Sequence, residues 1–199
     1  MEPFTSLPTL PLEQRWRAQT APVPVVVALI RQTHADSERL LLIRRAGGPY
    51  AGQWALVGGK WDFGETLAAA VEREVLEETG LITSLVAVRA LVSERVAPWT
   101  AGEAADAPAA HFLLLVCDLL VRDGQAAEQQ EGLVHWFDLA AIDTLHAAGH
   151  IIPSDYAMIR EFATASCAAP YVEVEMRALL GGPSGQPSEM VRFQRHEGS

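Results

Sequence analysis

Short runs of aliphatic and β-branched residues alternate along this chain with polar turns and with segments that have a helical period. The runs predict strands at 23–30, 40–44, 54–57, 84–95, 110–121 and 133–137. The helical segments lie at 66–79, 139–148 and 154–165. Because strands and helices are interleaved, the pattern predicts a protein of the α/β class.

The two ends of the chain lack this pattern. Residues 1–21 are rich in proline and have no sustained period, which predicts a loosely attached N-terminal arm. Residues 22–166 carry the alternating elements and are predicted to form one domain, and 167–199 follow as a C-terminal extension. Within this extension, 171–179 is interpreted as an edge strand or a partner contact, and 181–187 as a flexible spacer.

The composition fits one globular domain with elaborations, since the chain has 199 residues of which 49% are hydrophobic and 20% charged. A formal net charge of −10 disfavours broad binding to nucleic acid or to anionic lipid. No apolar stretch approaches the roughly 20 residues that cross a bilayer, and the N-terminus lacks a secretory pattern. We therefore expect a cytoplasmic protein with neither a membrane nor a nucleic-acid partner.

The chain contains two cysteines, Cys117 and Cys167. Two cysteines form neither a disulfide framework nor a cysteine-rich zinc site. Free cysteine usually behaves as a small buried hydrophobic residue, which is the interpretation favoured for both.

The inward face of the first predicted helix changes from apolar to acidic halfway along the helix. Its apolar positions Leu67 and Val71 are followed on the same seam by Glu74 and Glu78, with Glu77 beside them. Carboxylates about 6 Å apart repel by roughly 3 kcal/mol at an effective dielectric near 20. The residues alone leave two interpretations open: a solvated acidic face, or a site for Mg²⁺ or Mn²⁺, which prefer carboxylate oxygens.

A specific pattern surrounds these glutamates. The pattern is Gly-x5-Glu-x7-Arg-Glu-U-x-Glu-Glu-x-Gly-U, with U aliphatic. The matching residues are Gly59, Glu65, Arg73, Glu74, Val75, Glu77, Glu78, Gly80 and Leu81. At roughly 7% usage for each of the invariant positions, a chance match is on the order of one in 10⁸ per start position. The segment resembles the Nudix box, and the flanking order of strands and helices resembles the whole Nudix domain.

This resemblance implies a Nudix-type α/β/α sandwich with a mixed β-sheet. It also implies hydrolysis of a nucleoside diphosphate linked to another moiety, with bound Mg²⁺ for which Mn²⁺ substitutes. By analogy with the family, Glu77 and Glu78 are the principal metal ligands, and Glu74 is a further ligand or the base that orients water. The carbonyl group of Gly58 is expected to complete the metal shell.

Other catalytic residues are also expected from the resemblance. Arg73 is expected to pair with Glu65 across the loop and the helix, which would hold the site together. Some family members take the general base from a later loop, where Glu131 is the first candidate and Glu128 the second. For both glutamates the alternative is an exposed loop acid.

Substrate-binding residues are less determined by the sequence. Arg44 or Arg45 could reach a phosphate group, and a rim ion pair is the alternative. Nucleobases often stack on aromatic side chains. The aromatic residues in loops near the motif are Trp61, Phe63, Trp99 and Tyr50. For Trp99 the alternative is packing of its loop against the sheet.

Two functions follow from the sequence. The first is a Mg²⁺-dependent pyrophosphohydrolase that cleaves a nucleoside triphosphate, a nucleotide-sugar or a related small nucleotide with metal-activated water. The second is a catalytically silent module that senses a nucleotide-sugar. The complete carboxylate set favours the enzyme, and the analogy of fold alone suggests a homodimer.

Overall fold

The structure is a computed structural model that describes residues 19–34, 37–47, 50–96, 110–129, 132–164, 168–177 and 189–196. Within these ranges the chain forms eight strands and three helices. In chain order they are β1 (Val23–His34), β2 (Ser37–Arg45), β3 (Trp54–Lys60), α1 (Leu67–Thr79), β4 (Ile82–Val96), β5 (Ala110–Asp123), β6 (Gly132–Asp138), α2 (Leu139–Ala147), α3 (Pro153–Phe162), β7 (Tyr171–Arg177) and β8 (Glu189–His196).

Six strands form one sheet in the order β4-β5-β1-β3-β2-β6. β1 runs parallel to β5 and antiparallel to β3 and β2. The pairs β2–β3, β2–β6 and β4–β5 are also antiparallel. The sheet is therefore mixed, which confirms the predicted fold class.

Two hydrophobic clusters cover the two faces of this sheet. One cluster contains the inward residues of α1, which are Leu67, Ala70, Val71 and Val75. The other contains Ile142 of α2 together with Met158 and Ile159 of α3. Since each face carries its own helix layer, the three layers form the predicted α/β/α sandwich.

Local signals and packing together define α1. The Thr66 hydroxyl oxygen accepts a hydrogen bond of 3.1 Å from the Ala69 amide and caps the first turn. At the other end, Gly80 adopts φ 75° and donates its N–H to the Leu76 carbonyl at 2.9 Å. Each large apolar side chain that the helix buries contributes roughly 1.5–3 kcal/mol to its stability. Because of the two caps, the helix begins and ends close to the predicted limits of 66 and 79.

Two predicted details differ in the structure. The helix expected from residue 154 begins at Pro153, and Ile152 stands at its N-cap without a side-chain hydrogen bond. Proline is suited to the first helical position because it has no N–H group to satisfy. β7 pairs with β8 in a separate two-stranded sheet, so the described part of the predicted 171–179 segment is not an edge strand of the main sheet.

The part of the chain that the structure describes contains no helix that is both long and apolar enough to cross a membrane. Cys117 lies on β5 and is fully buried. Burial raises the pKa of its thiol to about 12, which favours the protonated form. The interpretation of Cys117 as a small buried hydrophobic residue is confirmed, and Cys167 lies outside the described residues.

Candidate active site

The site begins with two glycines near the end of β3. The register places Gly58 opposite Val27 and Gly59 opposite Val26 on β1. Gly58 has φ 155°, and a Cβ atom there would lie 2.1 Å from the Val26 carbonyl oxygen. A Cβ atom on Gly59 would lie 2.4 Å from a carboxylate oxygen of Glu74. Both positions need glycine, because one approaches the backbone of β1 and the other leaves space for the Glu74 carboxylate.

Glu78 lies on the inward face of α1 and is only 6% exposed. Its Oε2 accepts a hydrogen bond of 3.1 Å from the Gly58 amide. A carboxylate is kept at a buried position only where polar groups compensate its lost hydration. The contact therefore joins the glycine pair of β3 to the acidic part of α1, twenty residues further along the chain.

The predicted pair between Arg73 and Glu65 is present. Arg73 donates from Nε to Glu65 Oε1 at 2.8 Å and from Nη2 to Glu65 Oε2 at 3.0 Å. The hydrogen bond from Arg73 lowers the pKa of Glu65, and the same hydrogen bond raises the pKa of Arg73. Arg73 Nη2 also reaches the Lys60 carbonyl oxygen at 3.1 Å. This two-bonded fork fixes the loop between β3 and α1 against the helix.

The same guanidinium group contacts two more glutamates. Its Nη1 lies 2.7 Å from Glu74 Oε1 and 3.3 Å from Glu77 Oε2. The Glu74 side chain is 13% exposed, whereas that of Glu77 is 59% exposed. The three predicted ligands therefore divide into two inward carboxylates, Glu74 and Glu78, and one that faces solvent. In their present positions, no three His, Cys, Asp or Glu side chains of the described residues converge closely enough to hold a metal ion.

Glu74 and Glu78 line a cavity of about 470 Å³ together with both glycines. The other lining residues are Val25, Val27, Arg45, Tyr50, Ala55, Leu56, Lys60, Asp62, Glu94, Phe112, Leu114, Ile152, Ser154 and Asp155. The cavity therefore combines carboxylates, one arginine, two aromatic rings and an aliphatic wall. Its volume lies in the range of about 300–1,000 Å³ that is usual for small-molecule sites.

Asp155 lies in the first turn of α3 and faces this cavity. Its Oδ2 accepts a hydrogen bond of 2.8 Å from the Leu56 amide. Burial raises the pKa of Asp155 to about 7, and the negative charge of Glu94 adds to the increase while Arg45 opposes it. The carboxyl group therefore changes charge close to neutral pH.

Replacing Asp155 with asparagine should flatten the pH dependence of stability. The pKa of Asp155 is about 7 in the folded state and 3.8 ordinarily, so between these values the folded state keeps a proton that the unfolded state has lost. The folded state therefore loses stability as the pH rises from about 4 to 7. Wild type should lose about 2 kcal/mol more between pH 5 and pH 8 than Asp155→Asn, measured by urea unfolding. Asp143→Asn, on the exposed side of α2, is the control. Parallel profiles for wild type and Asp155→Asn would contradict this expectation.

Only one of the two predicted arginines reaches the cavity. Successive residues of a strand point to opposite faces, and here Arg45 lines the cavity while Arg44 is exposed. Arg45 Nε is buried and has no hydrogen-bond partner among the described residues. Arg44 Nε instead donates to the Gly52 carbonyl oxygen at 3.0 Å, so its predicted phosphate contact does not agree with its position.

Trp61 is placed differently from the prediction. Its indole ring packs against the cluster under α1, and its Nε1 donates to the Glu65 carbonyl oxygen at 3.1 Å. It does not line the cavity of Glu74 and Glu78, although its neighbours Lys60 and Asp62 do, because its ring is engaged in these other contacts. Base stacking on Trp61 therefore does not agree with the structure, whereas Tyr50 does line the cavity.

Two predicted residues, Trp99 and Glu131, lie outside the described residues. Glu128, the second candidate for the general base, is exposed on the segment between β5 and β6 and is not a lining residue of the cavity. The role of each of these residues stays a prediction.

The cavity residues that were not predicted from the sequence include Glu94, Phe112 and Asp155. An acid in the first turn of a helix is common because it complements the helix dipole, so Asp155 carried no distinguishing signal. Glu94 and Phe112 are paired across β4 and β5, and strand alternation could have placed them on one face. Which face the cavity occupies depends on long-range packing.

A Nudix-type site is defined by the Gly58–Gly59 pair of β3, the Arg73–Glu65 ion pair and the acidic part of α1, on an α/β/α sandwich. A sequence model of the NUDIX domain matches residues 21–161 of this chain. The chain therefore belongs to the NUDIX family.

Two curated relatives match a shorter part of the chain. An ADP-ribose pyrophosphatase from Methanocaldococcus jannaschii is 39% identical over 69 residues, which cover 35% of this chain and 38% of the relative. The 8-oxo-dGDP phosphatase NUDT18 from Mus musculus is 38% identical over 64 residues, or 32% of this chain and 20% of the relative. The matches thus span well under half of either relative.

Solved structures share the fold over a larger part of the chain. A MutT protein from Methanosarcina mazei Go1 has a TM-score of 0.56 and 23% identity, with coverage of 73% of this chain and 96% of the other. A NUDIX hydrolase from Nitrosomonas europaea has a TM-score of 0.56 and 22% identity, with 71% and 88% coverage. These similarities support the sandwich architecture.

Proposed function

We propose that this protein is a Mg²⁺-dependent pyrophosphohydrolase that cleaves the diphosphate of a nucleoside triphosphate, a nucleotide-sugar or a related nucleoside diphosphate derivative. One observation carries the proposal: a single cavity is lined by the Glu74 and Glu78 carboxylates and also by Arg45, Tyr50 and Phe112. The carboxylates suit a divalent cation, whereas the other groups suit a phosphate and a planar base.

The donor set fits Mg²⁺ in its chemistry. Glu74 and Glu78 would hold the ion from the inward face of α1, with Glu77 and the Gly58 carbonyl as further ligands. The Glu77 side chain is exposed and lies 3.3 Å from Arg73, so a change of rotamer could turn it toward the ion. A bound Mg²⁺ ion would supply charge neutralisation for the diphosphate and would lower the pKa of a coordinated water. Mn²⁺ has similar ligand preferences and should substitute.

The protein's own residues do the remaining work. The Arg73–Glu65 pair holds the loop against the helix. Glu74 and the helix turn that carries Glu77 are thereby positioned before substrate arrives. A carboxylate must then accept the proton of the attacking water. Glu74 lines the cavity and is the first candidate if it orients the water instead of binding the ion, and Glu131 and Glu128 are the loop alternatives.

Arg45 is the arginine proposed for the phosphate contact. Its buried Nε, which has no hydrogen-bond partner in the described part of the chain, would gain an acceptor from a phosphate oxygen. Tyr50 and Phe112 offer apolar and aromatic surface for the nucleoside. The formal charge of −10 supports a small nucleotide partner in preference to nucleic acid.

The names of the two curated relatives, an ADP-ribose pyrophosphatase and an 8-oxo-dGDP phosphatase, both describe diphosphate-containing nucleotides. This supports a diphosphate linkage as the bond that is cleaved.

A substrate panel tests the proposal. Nucleoside triphosphates, nucleotide-sugars and ADP-ribose would each be incubated with Mg²⁺, with Mn²⁺ or with EDTA, and products separated by ion-exchange chromatography. We expect a nucleoside monophosphate product from at least one substrate, and no turnover in EDTA. Tight binding of a nucleotide-sugar without product would instead favour the sensing module.

Sizing by light scattering tests the homodimer, and cell fractionation tests the cytoplasmic location.

A further inference from the structure

The C-terminal strands β7 and β8 lie beside the loop that leads into α1. Tyr171, at the start of β7, packs against the core cluster under α1. A groove of about 620 Å³ separates the hairpin from the loop. The loop contributes Trp61, Gly64, Glu65 and Thr66 to its walls, and the hairpin contributes residues 171–175 and Arg192. The C-terminal extension is therefore in contact with the Nudix box.

Glu173 makes a polar contact across this boundary. Its Oε1 accepts a hydrogen bond of 2.9 Å from the amide of Leu67, the first residue of α1. The Tyr171 hydroxyl donates to the same oxygen at 3.0 Å. The first four amides of a helix lack intrahelical acceptors, and the helix dipole favours a negative charge there. α1 has no acidic residue in its own first turn, so Glu173 supplies that charge from elsewhere in the chain.

This contact is connected to the metal-binding carboxylates through a short series of bonds. Glu65 lies in the same loop, two residues before Leu67, and is held by Arg73. Arg73 in turn contacts Glu74 and Glu77. Displacing the start of α1 would therefore move one end of the ion-pair group that orients these glutamates.

We propose that Glu173 is a positioning residue for the metal-binding carboxylates: by accepting the Leu67 amide, it fixes the first turn of α1 and the loop that carries Glu65. Through this contact the C-terminal hairpin contributes to the geometry of the Nudix site. The activity readouts of this inference rest on the proposed function, whereas its structural and metal-binding readouts do not.

Three variants separate the roles of charge, acceptor and general strand stability. Glu173→Ala removes both the charge and the acceptor, whereas Glu173→Gln removes the charge and keeps an acceptor oxygen. Glu175→Gln is the matched control, because it removes the same charge from an exposed side chain on the same face of β7. Circular dichroism checks that each full-length variant is folded.

The first readout is hydrogen–deuterium exchange of the amides at 67–69. For Glu173→Ala we expect exchange about fivefold faster than in wild type, with Glu173→Gln in between and Glu175→Gln unchanged. The second readout is Mn²⁺ binding to the substrate-free protein by calorimetry. There we expect a Kd about fivefold higher for Glu173→Ala only.

The third readout is turnover. In Glu173→Ala the half-saturating Mg²⁺ concentration should rise about fivefold and kcat should fall roughly threefold, while KM for the nucleotide at saturating Mg²⁺ stays within about twofold. A lower melting temperature with unchanged exchange at 67–69, unchanged Mn²⁺ binding and unchanged kcat would overturn the proposal and leave a purely structural role. Absence of turnover in wild type would count against the proposed function, and the exchange and Mn²⁺ data would still decide the role of Glu173.

Discussion

Replacing Glu78 with glutamine should lower kcat/KM by about 10³-fold or more without unfolding the protein. The glutamine oxygen can still accept the Gly58 amide, which Glu78 Oε2 contacts at 3.1 Å, so the local geometry is retained. What is lost is the negative charge that the proposed metal site requires. Glu77→Gln should have a comparable effect because of its predicted ligand role. Steady-state kinetics at saturating Mg²⁺, with thermal unfolding in parallel, measures both.

Glu72→Gln is a matched control for this experiment. Glu72 is on the same helix, and its Oε1 also accepts a backbone amide, that of Leu85 at 2.9 Å, but it does not line the cavity. Its substitution should leave kcat/KM within about twofold of wild type, as is usual for changes away from the reacting groups. Wild-type turnover in Glu78→Gln and Glu77→Gln would rule out the proposed metal site.

Replacing Gly58 with alanine should destabilise the protein by about 3 kcal/mol or more. The new Cβ atom would lie 2.1 Å from the Val26 carbonyl oxygen, and φ 155° is a conformation that side-chain-bearing residues rarely adopt. The backbone of β1 would have to move away from β3, which would break the register at the centre of the sheet. Urea unfolding followed by circular dichroism gives the change in the free energy of unfolding.

Gly47→Ala provides the comparison, because a Cβ atom there would have no neighbouring atom within 4 Å. That variant should change the free energy of unfolding by less than about 1 kcal/mol. If Gly58→Ala proved as stable as Gly47→Ala, the close approach of β3 to β1 would be incorrect.

The sequence was sufficient to predict the parts of the site that lie close together along the chain. α1 was predicted from its helical period, and the Arg73–Glu65 pair, eight residues apart, was expected from the resemblance to the Nudix box. The mixed sheet followed from the resemblance of the Nudix box and its flanking elements. The inward position of Glu78 followed from the apolar seam of α1.

Contacts between distant segments could not be predicted in this way. Which of Arg44 and Arg45 faces the cavity depends on how β2 is oriented in the sheet, and the dipeptide itself carries no such information. The cavity position of Asp155 requires the packing of α3 beneath β3, where it meets the Leu56 amide 99 residues earlier. The placement of β7 against α1 likewise arises only in the assembled fold.

The hydrogen bond between Leu67 and Glu173 has a consequence for how the protein matures during synthesis. The two residues are 106 positions apart, so at about 5–20 residues per second a ribosome needs roughly 5 to 20 s to extend the chain from one to the other. During that interval the nascent α1 has no partner for its first amide from the hairpin. A complete Nudix centre is therefore expected to form late, after translation has passed the last strands of the fold.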